Sequence, residues 1–124
     1  MHDITESDWK KFRPLRERAL EQFCGRVLED VARIGSDQTK SRHERYVAIY
    51  QLARERDKDI EHIFGHLRRS TAVMQICLFR LHGLITDDEV RQFSREIVGE
   101  VEHFVRYHSS PDDKEPPGHI PHRA

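Results

Sequence analysis

Three times along this chain a Ser or Thr stands three residues ahead of an acidic residue, at the head of an apolar stripe: Thr5 with Asp8, Ser41 with Glu44, and Thr86 with Glu89. In such a pair the hydroxyl accepts a backbone N–H that the first helical turn leaves open, and the acidic side chain turns back to the N–H of the cap. Each pair therefore predicts a helix start. Behind Thr5, the residues Phe12, Leu15, Ala19, Leu20, Phe23, Val27, Val31 and Ile34 recur at helical spacing and define one face of a helix ending at Gly35. Pro14 removes a donor and restricts Arg13, so a kink or a short separate helix is expected there. Behind Ser41, a second stripe runs through Tyr46, Ile49, Tyr50, Ala53, Ile60, Ile63 and Phe64 to a stop at Gly65. A third segment covers residues 68–82 and stops at Gly83. Behind Thr86, Val90, Phe93, Ile97, Val98, Val101, Phe104 and Val105 form the last stripe, with Ser94 placed to restart it.

No stretch alternates with the period of a strand. The expected fold is all-α, an antiparallel four-helix bundle over residues 1–108, with five helices if the last breaks near Ser94. Residues 109–124, rich in Pro and His, offer only Ile120 as a large apolar residue and are expected to form a flexible tail.

The stretch Leu81-His82-Gly83-Leu84-Ile85-Thr86-Asp87-Asp88-Glu89-Val90 resembles the turn of the short helical hairpins found at the C-termini of many bacterial proteins. The resemblance implies a tight helix–turn–helix with a glycine stop and a threonine cap. It brings no functional residues with it.

Charged residues make up 35% of the chain and hydrophobic ones 36%, which suits long helices that each bury one stripe under a charged skin. The net charge of -1 gives no overall pull towards nucleic acid or an anionic membrane. The most apolar run, residues 72–81, contains Gln75 and Arg80 and is far shorter than a membrane span. Residues 1–6 show neither the basic nor the apolar region of a secretory signal. Cys24 and Cys77 sit in separate apolar segments, as reduced thiols do, so the expected location is cytoplasmic.

Nothing in the sequence marks a reaction. It has no glycine-rich phosphate loop, no Gly-x-Ser-x-Gly and no His-Glu-x-x-His. Asp59, His62 and His66 share one helical face, and Glu100 with His103 matches half of a diiron motif. Both groups, however, point away from the apolar stripes that would carry ligands inward. Cys77, between Ile76 and Leu78, is placed to be buried rather than nucleophilic. No catalytic residue, metal site or cofactor is expected.

Two surfaces remain. Lys10, Lys11, Arg13, Arg68 and Arg69 gather at one pole of the expected bundle, near His62 and His66, and form a weak anion-binding candidate. Glu6, Asp8, Glu100 and Glu102 fall at the same pole and are expected to neutralise it, which argues against nucleic acid as the partner. The third helix is apolar nearly all round, more than a four-helix bundle covers, so part of it is expected to meet another chain. Trp9, Met74 and an outward-facing Phe79 are the interface candidates, with a second copy of the protein as the expected occupant. Arg80, on the apolar flank of that helix, requires a carboxylate or carbonyl partner. The expected function is protein–protein interaction as a homodimer; the alternative is an anion- or nucleic-acid-binding module.

Overall fold

The computed structural model describes residues 4–109, so the expected tail lies, apart from Ser109, outside the described residues. The protein is all-α. Among the described residues there are five α-helices, α1 (Glu6–Gly35), α2 (Arg42–Phe64), α3 (Ala72–Leu81), α4 (Asp87–Val90) and α5 (Arg95–His108), with a 3-10 turn at Arg69–Thr71 leading into α3. The segment after Thr86 is thus divided in two, with Ser94 as the cap of α5.

Local chemistry accounts for most of these boundaries. Ser41 Oγ accepts from the Glu44 N–H at 3.0 Å and Glu44 returns to the Ser41 N–H at 2.8 Å. The Thr86 and Glu89 pair does the same at 3.2 and 2.9 Å. Gly65 and Gly83 end α2 and the α3 turn with φ of 47° and 70°, left-handed values that a side chain resists. Thr5 makes only half of its box: its hydroxyl accepts from the Asp8 N–H at 3.2 Å, while the Asp8 carboxylate turns elsewhere.

α1 is not divided at Pro14. Phe12 and Leu15 lie on either side of the proline, and both are fully buried. Packing on both sides of the missing N–H holds the two turns in one helix.

The core is built around α3. Ala72, Val73, Ile76, Cys77 and Phe79 are wholly enclosed. Around them pack Phe12, Leu15 and Ala19 of α1, Ile63 and Phe64 of α2, Leu84, Ile85, Val90 and Phe93 of the α4 region, and Ile97 and Val101 of α5. A chain of rings crosses this core, Trp9 to Phe12 at 5.6 Å, Phe12 to Phe79 at 6.1 Å, and Phe79 to Phe64 at 5.1 Å. Each large side chain buried here contributes about 1.5–3 kcal/mol. The break between α4 and α5 explains how so apolar a helix is covered within one chain. The chain turns at Arg91–Ser94, drives Phe93 into the core and brings α5 back along α3.

A polar network ties these layers together. Gln75, although buried, accepts from Arg16 Nε at 3.2 Å and donates to His66 O at 2.9 Å and Thr71 Oγ1 at 3.2 Å. Arg16 also donates to the carbonyls of Phe64 and Gly65, at 3.2 and 3.1 Å. One residue of α1 therefore closes the end of α2 against the start of α3. Further along α1, Arg26 donates to His82 O and Gly83 O at 3.0 and 2.6 Å and covers the last carbonyls after α3.

Candidate interaction surface

The five basic candidates do not form one open cluster. Lys11 Nζ donates to Gln92 O at 2.7 Å and is used to fasten the α4–α5 turn. Arg69 pairs with Glu6 at 2.6 Å and lies over the Trp9 ring, 5.1 Å from its centroid. That guanidinium, beside Glu6, holds its carboxyl below the usual range. Lys10 and Arg13 border a shallow groove with Glu6, Trp9, Glu17 and Arg69, and Arg68 is exposed on the segment before α3. Of the four acids expected to neutralise this pole, Glu6 does so directly. Asp8 is buried, with Oδ1 accepting from the Ser94 N–H at 3.1 Å.

The three interface candidates separate in the same way. Phe79 does not face outward: it is 0% exposed, between Phe12 and Phe64 in the core. Trp9 is half-buried, stacked on Phe12 and covered by Arg69. Only Met74 is an exposed large apolar residue of α3. Arg80 has the acidic partner its position calls for, Asp87 at 2.7 Å, but that partner is well exposed.

Among the described residues, open apolar surface is found along α1 and α2. From residue 20 to residue 55 no side chain is buried. Over this span the two helices have mainly each other: α2 returns antiparallel to α1, with a Cβ on Gly35 falling 3.9 Å from Ile49 and Arg45 donating to Gly35 O at 2.6 Å. Two helices alone enclose a seam, not a core, and Val27, Val31, Ile34, Ile49 and Leu52 along it stay only half-buried. Leu28, Tyr46 and Tyr50 are 66%, 68% and 55% exposed.

These three residues share a face. At about 100° per residue, Leu28 stands roughly 90° round α1 from the Val27, Val31, Ile34 line that meets α2. Tyr46 and Tyr50 stand roughly 90° and 130° round α2 in the same sense from the Ile49, Leu52, Arg56 line that meets α1. Equal rotations on antiparallel neighbours lead to one side of the pair. Ala32 and Ala53, both exposed, complete that side. The sequence stripes contain Tyr46, Tyr50 and Ala53 but neither Leu28 nor Ala32, and the signal that α1 and α2 outrun the core is the spacing of caps and glycines: both helices are far longer than α3 and α5.

A second apolar strip follows α5 and is formed by Gly99, His103, Phe104 and Tyr107. It belongs to a single helix.

Burial and the nearby Glu100 charge push the Cys77 thiol up from 9.0 to about 12, the opposite of an activated nucleophile. Among the described residues no three His, Cys, Asp or Glu side chains are grouped to hold a metal; Asp59 pairs with Arg56 at 3.0 Å, and His62 and His66 are exposed. Among the described residues, too, no helix is long and apolar enough to cross a membrane. No family model, no curated protein and no solved structure matches this chain.

Proposed function

We propose that the protein is a non-catalytic interaction module of the cytoplasm that works as a homodimer, binding through the outer part of the α1–α2 hairpin. The observation that carries this reading is the run of residues 20–55 without a buried side chain, bearing Leu28, Tyr46 and Tyr50 in the open. Soluble monomers seldom keep a contiguous apolar patch without a use for it. Tyrosine in particular serves interfaces, where its ring is covered while its hydroxyl finds a partner. The engagement of Lys11 with Gln92 O and of Arg69 with Glu6 favours a protein partner over a polyanion. The free thiols of Cys24 and Cys77 are in keeping with a reducing compartment. Sedimentation velocity at micromolar concentration tests the reading. A dimer is expected, and a monomer that persists as concentration rises contradicts it.

A further inference from the structure

Resting on that reading, we propose that two copies pair through the Leu28, Tyr46, Tyr50 face with their hairpins antiparallel, the turn of one hairpin lying over the base of the other. The face is self-complementary in charge. Its outer end carries three cations, Lys40, Arg42 and Arg45, and the exposed imidazole of His43 against two acids, Asp37 and Glu44, which are bonded to Thr39 and Ser41. Nearer the core the same side of the hairpin carries Glu17, Glu21, Asp57 and Glu61, again exposed. A parallel pairing sets like charges against each other; an antiparallel pairing sets the basic end of each copy on the acidic part of its neighbour.

The register follows from the Gly35–Ile49 contact. Counted along antiparallel helices from that point, Ala53 is level with Ala32 to about one residue. A two-fold axis lying in the interface at that level crosses α1 over the α1 of the second copy and α2 over its α2. The smallest side chains of the face then sit where the helices approach most closely. Leu28 of one copy faces Ala32 and Gly35 of the other, Tyr50 faces Ala53 and Asp57, and Arg42 comes within about 5 Å of Glu61 along the helix axis, a gap their long side chains span. Bulky residues meet small ones, and the Tyr50 hydroxyl gains an acceptor.

The size is adequate. The stretch from Ala19 to Gly35 is about 24 Å long and two helices are about 20 Å wide, a footprint of roughly 480 Å² in projection. The accessible surface of so uneven a face approaches the ~800 Å² that each partner contributes to a stable dimer.

Two measurements on the full chain test the pairing. Arg42→Glu is expected to raise the dimer dissociation constant about tenfold, and Arg42→Glu combined with Glu61→Arg to return it to within about threefold of wild type, with unchanged helical circular dichroism. In a Cys24→Ser background, Ala53→Cys is expected to link two chains through a short bis-maleimide, whereas Glu17→Cys, about 45 Å from its counterpart in this register, is not. A dimer indifferent to Arg42→Glu, or one that links through Glu17→Cys and not Ala53→Cys, overturns this pairing and leaves the homodimer itself standing. A wild-type monomer at every concentration removes both.

Discussion

Asp8, in the first turn of α1, accepts the backbone N–H of Ser94 at 3.1 Å, across a sequence separation of 86 residues. The link joins the start of the first helix to the cap of the last one, and Lys11 supports it through Gln92 O at 2.7 Å. Asp8 is 3% exposed, and its Oδ2 is buried without a hydrogen-bond partner. Replacing it by Ala leaves the Ser94 N–H unsatisfied and is expected to cost about 1–3 kcal/mol, read from urea unfolding. Asp8→Asn keeps one acceptor and should lose less.

Arg16 and Gln75 form the second long-range polar tie, and here Gln75 uses both its Oε1 and its Nε2. Gln75→Leu strands the Arg16 Nε donor and the His66 carbonyl together. The expected loss is again about 1–3 kcal/mol. Arg16→Met should cost a similar amount, and the double variant less than the sum of the two, because the side chains share one network. A double-mutant cycle of unfolding free energies checks this.

Cys77 gives the fold a dependence on alkaline pH. In the unfolded chain the thiol ionises near 9.0, whereas burial and Glu100 keep it protonated in the fold to about 12. The raised value means that its contribution to stability is fully present below pH 9 and is lost as pH climbs towards 12. Cys77→Ala should flatten that part of the stability profile while lowering it at neutral pH. Urea midpoints measured from pH 8 upward compare the two proteins.

Arg80 is expected to tolerate Met. Its side chain is 30% exposed and its partner Asp87 is 67% exposed, so no buried acid is stranded when the guanidinium is removed. The melting temperature should stay within about 3 °C of wild type.

The helix starts and stops were legible because they are local. Ser41 and Glu44, Thr86 and Glu89, Gly65 and Gly83 each act within a few residues, and all are found in place. Asp8 has the spacing of a capping box, yet its carboxylate serves Ser94, a partner that only the tertiary fold supplies. Pro14 is the converse case, a local breaker overridden by the burial of Phe12 and Leu15. Phe79 was expected to face outward for a related reason. An apolar circumference on α3 indicates that something covers it, but not whether the cover comes from the same chain. The break before Ser94 lets α5 fold back on α3, and Phe79 becomes core. Tyr46 and Tyr50 share a sequence stripe with Ile49, but they stand off the Ile49, Leu52, Arg56 line that meets α1, on a hairpin that runs beyond the core, and so stay exposed.

Multi-angle light scattering of Tyr50→Asp, with circular dichroism on the same sample, tests the hairpin interface most directly. Tyr50 is 55% exposed and its ring lies under Arg54, so a charge there should leave the fold intact while breaking contact between copies. The predicted result is a fully helical monomer where wild type is a dimer, in contrast to Phe79→Asp, which should unfold the core. A Tyr50→Asp protein that remains a helical dimer of wild-type affinity contradicts the hairpin interface.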